Sequence, residues 1–156
     1  MKKKKKIKMK KRKILLAIIP ALALVNFVSL AKSNNGFDFR ERDPDSWQMV
    51  ADGADGKIKI DDNNFTFTAS GLSEADYTLV KYTGIWPGNP VVCLAEGHAS
   101  KKGGILNLSG KYLDAGPQVW LVLSSDVDCQ SQKMLFWNPT EYLFDYSVTE
   151  KPGGLP

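Results

Sequence analysis

The run Val119-Trp120-Leu121-Val122-Leu123 constrains this chain more than any other stretch. Its short length and its β-branched and aromatic residues suit a buried strand better than a helix. A polar connection holding Asp126, Asp128 and Cys129 leads from it to Met134-Leu135-Phe136-Trp137. Asn138-Pro139 ends that second run, because proline lacks an N–H and pushes its neighbour into extended geometry. Tyr142 to Tyr146 resumes an aromatic, strand-like pattern. This quarter of the chain therefore predicts antiparallel strands that carry much of the core, and it contains no recognisable set of nucleophile, base and orienting group.

Upstream, the same grammar repeats in shorter form. Ile58 and Ile60 alternate with lysines, Asp61-Asp62-Asn63-Asn64 turns the chain, and Phe65, Phe67 and Ala69 alternate with Thr66, Thr68 and Ser70, which together predict a hairpin. Further strands are expected at Tyr77 to Tyr82, Val91 to Ala95 and Ile105 to Ser109. Leu72 ahead of Tyr77 matches the corner of β-sandwiches in which a tyrosine hydroxyl bonds nearby backbone. Seven or eight short strands with turn signals between them predict an all-β, antiparallel β-sandwich, with a barrel as the alternative architecture. Residues 47–149 are assigned to this domain, 32–46 to a polar, flexible N-terminal arm in which Phe37 and Phe39 form at most an edge strand, and 150–156 to a frayed tail.

The first 31 residues have a different logic. Ten Lys/Arg between Lys2 and Lys13 precede the apolar segment Ile14 to Ala31, and Ser29 and Ala31 occupy the −3 and −1 positions of a secretory signal peptide. Retention as a membrane anchor is the alternative, disfavoured by Pro20 and Asn26 and by a length at the lower limit for spanning. Removal of the leader reverses the charge. Eleven of the 21 Lys+Arg stay with all 17 Asp+Glu, so the mature chain carries about −6 instead of +4 and is expected to repel nucleic acid. The two cysteines, Cys93 and Cys129, both lie in the mature part, where an exported chain is expected to pair them.

Tyr77 to Tyr82 with Trp86-Pro87-Gly88-Asn89, then Val119 to Ser124, Asp126 to Cys129 and Trp137-Asn138-Pro139-Thr140-Glu141-Tyr142-Leu143-Phe144, resembles a group of small exported prokaryotic proteins associated with methanogenic archaea. The similarity spans Trp47 to Val148, and the Trp137 to Phe144 string is its specific part. The group has no assigned activity, so the resemblance implies an extracytoplasmic domain and carries over no catalytic residue. Relatives have a proline-containing turn before the first tyrosine, whereas Ser73 to Asp76 is shorter and lacks it.

Candidate functional residues fall into four sets. Trp86, Trp137, Tyr82 and Tyr142 sit at or beside loops, where aromatic rings stack on sugars or anchor a protein partner, or else cap the ends of the core. Asp126 and Asp128, held beside Cys129, are the best of three aspartate-rich turns for a hard cation such as Ca²⁺, although none has EF-hand spacing. Asn64 and Asn107 head glycosylation triplets. Glu96, Asp126, Asp128 and Glu141 supply carboxylates for a glycan hydrolase, but no serine near His98 has a nucleophile frame. The expected function is a non-enzymatic module of the cell surface that contacts a protein or glycan, the alternative being a secreted glycan-acting hydrolase. Mass spectrometry of the exported protein should find a chain starting at Lys32; a mature form that keeps the lysine run would refute the cleavage.

Overall fold

Alternation of apolar and polar residues places side chains on opposite faces of a strand, and the chain realises this pattern throughout. The computed structural model describes residues 35–82, 90–112 and 118–146. Eight strands make one antiparallel sheet: β1 (Asn35–Arg40), β2 (Asp55–Asp61), β3 (Asn64–Ser70), β4 (Asp76–Tyr82), β5 (Val91–His98), β6 (Leu106–Lys111), β7 (Val119–Leu123) and β10 (Leu143–Asp145). Their spatial order is β5-β4-β7-β10-β1-β2-β3-β6. The sheet curls until its edge strands β5 and β6 lie side by side without a hydrogen-bonded ladder, so this all-β fold is nearly a closed barrel. Glycine permits the approach at the seam. A Cβ on Gly110 would lie 2.8 Å from a Phe65 ring carbon and 3.1 Å from the Leu94 carbonyl oxygen, and one on Gly97 would lie 2.7 Å from Leu108 Cδ2. A two-residue pair, β8 (Val127–Asp128) with β9 (Lys133–Met134), forms a separate small hairpin.

Three strands of the sheet have two covered faces, and much of the rest has one. In β2 and β3 apolar residues point inward and polar ones outward: Ile58, Phe65 and Phe67 are buried, while Lys57, Lys59, Thr66 and Thr68 are exposed. On β4, β7 and β10 both faces are buried, which is why Val119 to Leu123 reads as an unbroken apolar run. Leu79, Val119, Leu121 and Leu143 enter the interior with Phe39, Phe67 and Leu106. Val80, Tyr82, Trp120, Val122 and Phe144 form a second apolar layer on the outside, together with Val91, Trp47, Val127 and Tyr142. Trp47 and Val127 belong to the segments 41–50 and 124–142, which supply the cover.

Two expectations change. Residues 35–40, expected in a flexible arm, form β1 in the middle of the sheet between β10 and β2, with Phe37 opposite Ile58 and Phe39 opposite Asp145. The polar composition of this stretch hid an alternating Phe37/Phe39 pair that packs inward; the two rings stack at 5.5 Å and Phe39 meets Phe67 edge-on at 5.0 Å. Met134 to Trp137 is strand only at Met134, and Leu135 and Phe136 stay exposed. The Tyr77 hydroxyl is buried, and Ser73, four residues upstream, acts on it through its side chain and backbone, the neighbourhood in which a tyrosine corner forms. The leader and the tail at 150–156 lie outside the described residues.

Because β1 is central, Phe39→Ala should cost about 3–5 kcal/mol, as large aromatic deletions from cores do. Denaturant unfolding measures this directly; a loss below about 1 kcal/mol, the scale of a surface change, would return the segment to a peripheral role.

Candidate functional site

The cover over the outer layer is fastened at three points, and these determine what the loop residues can do. The first is covalent. Cys93 on β5 and Cys129 just after β8 form a disulfide with Cα atoms 5.7 Å apart, closing a sequence separation of 36 residues. On the chain-entropy account a loop of this length stabilises the fold by about 3–4 kcal/mol. Such a bond is compatible with an oxidising, extracytoplasmic setting.

The second fastening is the buried Asp126, which ends a 3-10 turn at Ser124–Asp126. Its Oδ2 accepts hydrogen bonds from the Tyr142 hydroxyl and Asn138 Nδ2, both at 2.7 Å, and its Oδ1 accepts one from Ser125 Oγ at 3.1 Å. Its main-chain carbonyl accepts the Leu135 amide at 2.7 Å and the Phe136 amide at 3.3 Å. A carboxylate taken out of water needs such donors. Burial first, and the bond to Asp126 second, hold the Tyr142 phenol far above the ordinary tyrosine range.

The third fastening is the turn from Asp43 to Trp47. Asp43 Oδ1 accepts the Ser46 amide and hydroxyl, each at 2.7 Å, and these bonds hold its carboxyl below the usual range. Trp47 follows with φ at +58°, a left-handed conformation disfavoured for a bulky residue. Its ring packs into the cover, 4.9 Å from Phe144 and 6.5 Å from Trp137, and that burial offsets a backbone cost of about 1–3 kcal/mol.

The proposed aromatic surface divides under this arrangement. Tyr82 stacks on Trp120 at 4.6 Å and is 3% exposed, and Tyr142 is fully buried. Both rings serve the outer layer, which is the core-capping role. Trp137 is half-buried against Trp120, Tyr142 and Phe144 at 5.5–5.9 Å. Trp86 lies outside the described residues.

The two aspartates considered for Ca²⁺ face different hydrogen-bond sets. Asp128 caps its own turn, accepting Ser131 Oγ at 2.6 Å and the Gln130 and Ser131 amides, and the Ser131 hydroxyl leads in holding its carboxyl low. Among the described residues no three His, Cys, Asp or Glu side chains converge. Asn64 opens β3 and Asn107 lies on β6, both exposed. His98 is exposed at the end of β5 and meets Asp76 at 2.8 Å.

Of the carboxylates considered for glycan chemistry, Glu96 is exposed on β5 and Asp126 and Asp128 are engaged as described. Glu141 instead lines a cleft of about 250 Å³ together with Glu41, Ser73, Tyr77 and Thr140. Sequence reasoning missed Glu41, because it sits in the polar stretch ahead of Trp47 and no motif marks it. Its Oε2 accepts the Ala54 amide at 2.9 Å, which fixes the carboxylate at the cleft wall.

Tyr142→Phe removes a hydrogen bond to a buried charge and should cost about 1.5–3 kcal/mol at neutral pH. A phenol proton held more tightly in the folded than in the unfolded chain stabilises the fold below about pH 10, the ordinary tyrosine value, and this contribution fades as the pH rises past it. The wild type should therefore lose stability above about pH 10 more steeply than the variant, as read from unfolding midpoints across pH; parallel curves would show that the fold does not hold the phenol proton more tightly than the unfolded chain does. Compared with known proteins, the chain matches no family model, no curated protein and no solved structure, so no activity transfers to it from a relative.

Proposed function

We propose that the mature chain is an exported, non-enzymatic interaction module of the cell surface, in keeping with the group it resembles, and that it contacts a surface protein or glycan through the cover over its outer layer. The observation that carries this reading is the pair Leu135 and Phe136. The two residues are 52% and 62% exposed although their amides are anchored on the Asp126 carbonyl and the neighbouring hairpin is tied by Cys93–Cys129. Single exposed apolar residues are ordinary. Two adjacent large ones on a fastened turn, beside the half-buried Trp137, form a pre-organised apolar contact that loses little conformational entropy on binding. The basic and apolar leader supports export, and the disulfide agrees with it.

The Leu135→Ser/Phe136→Ser double variant should change stability by no more than about 0.5 kcal/mol per site, as exposed positions do. Its retention on isolated cell envelopes should fall by about tenfold or more, the loss expected when large apolar anchors leave an interface. Retention equal to that of the wild type would remove this surface from consideration.

A further inference from the structure

β2, β3 and β6 turn a polar face to solvent, and their outward residues Lys57, Lys59, Thr66, Thr68, Asn107 and Ser109 are all exposed. In the spatial order of the sheet these strands stand across the nearly closed barrel from β4, β7 and β10, the strands that carry the cover. Two Asn-x-Ser/Thr triplets fall on this bare side, and strand geometry presents both in the same way. Successive side chains alternate between faces, so the first and third residues of a triplet share a side. Asn64 and Thr66 are exposed with Phe65 buried between them, and Asn107 and Ser109 are exposed with Leu108 buried between them. The antiparallel register sets Thr66 opposite Ser109 and Asn64 opposite Lys111. The third such triplet, at Asn138, is blocked by Pro139, and its carboxamide is engaged by Asp126.

We propose that Asn64 is an N-glycosylation site of the exported chain and that the bare side of the barrel is its glycan-bearing side. The inference rests on the export reading above and not on the Leu135/Phe136 contact. The donor is a glycan held on a lipid phosphate, brought to the chain by a membrane-bound transferase. Asn64 Nδ2 attacks C1 of the first sugar: the C1–N bond forms as the C1–O bond to the phosphate breaks, the phosphate leaves with the electron pair, and the amide nitrogen gives up one proton. The hydroxyl two residues on completes the acceptor triplet, and Thr66 offers it from the same side of β3. Place favours Asn64 over Asn107. Asn64 closes the exposed turn from Asp61, in which Asp62 is left-handed at φ +54°, so the acceptor stands at a hairpin end that a large enzyme can reach. Asn107 lies within β6, with Thr68 opposite it and Lys57 beyond on β2. A glycan is bulky and solvated, and one on this side leaves the cover and its Leu135/Phe136 turn clear.

The test is peptide mass spectrometry of the full chain, recovered in exported form from the cells that make it. The tryptic peptide Ile60–Lys81 should carry a mass increment of one or more sugar residues, located on Asn64 by fragmentation. Asn64→Gln and Thr66→Ala should each abolish the increment, whereas Thr66→Ser, which keeps the hydroxyl, should retain it. Both positions are exposed, so these variants should shift the unfolding midpoint little, and loss of the increment reads the acceptor triplet and not the fold. The Leu135→Ser/Phe136→Ser variant should keep the increment, which separates this site from the contact surface. An unmodified Ile60–Lys81 peptide on a chain that starts at Lys32 overturns the proposal and leaves the export reading standing. An increment that survives Asn64→Gln but disappears with Thr66→Ala overturns it in favour of an oxygen-linked sugar on the threonine. Modification confined to Asn107 overturns it as well.

Discussion

A strand that is apolar on both faces cannot end the fold at a single sheet. β7 sends Val119 and Leu121 into the barrel and Trp120 and Val122 out of it, and β4 and β10 do the same with Leu79 and Leu143 against Val80 and Phe144. Left uncovered, the outer layer would expose several large side chains together, an apolar patch of the kind monomeric proteins avoid. The segments 41–50 and 124–142 follow from that constraint. They have little regular structure, because their task is to lay Trp47, Val127, Trp137 and Tyr142 onto an existing surface.

Irregular cover must be fixed by means other than a ladder, and the fixings fall where the chain has few backbone bonds. Asp126 carries the largest share. One buried carboxylate and its own carbonyl gather Ser125, Leu135, Phe136, Asn138 and Tyr142, so that the turn before β8 and the stretch from β9 to β10 share a hub. The disulfide adds a tie to β5, on the far side of β4 from β7. Such a hub is sensitive to the loss of any donor, because the charge remains buried when its partner is gone.

The sequence made the strands legible and left the cover obscure, for one reason. Period-two alternation at Ile58/Ile60 and Phe65/Phe67, and the run Val119 to Leu123, are local signals of strands, and the structure places strands there. The Cys93–Cys129 pair could be anticipated from count and compartment. By contrast, β1 looked like an arm because only Phe37 and Phe39 mark it, and the pairing partners that make it central, β2 and β10, lie up to about a hundred residues away in sequence. Tyr82 and Tyr142 stood beside breakers, which suggested a surface; a second layer above the sheet buries them, and no local pattern encodes that layer. The cleft is the extreme case. Glu41, Ser73, Tyr77 and Glu141 come from three separate parts of the chain and have neither spacing nor motif in common.

The buried polar atoms without a partner gather in the outer layer. Arg42 Nε, Trp47 Nε1, Tyr82 Oη and Trp120 Nε1 make no hydrogen bond, and all four belong to that layer or to its fastening, since Trp47, Tyr82 and Trp120 pack together there and Arg42 donates through Nη1 to the Trp47 carbonyl at 3.2 Å. Indole and phenol rings stacked face to face bury much apolar area, and that gain offsets an unmet N–H or O–H. The interior is settled differently: the Tyr77 hydroxyl is buried there beside Ser73, whose side chain and backbone act on it, so a polar neighbour four residues upstream meets a group that the outer layer would have left to stacking.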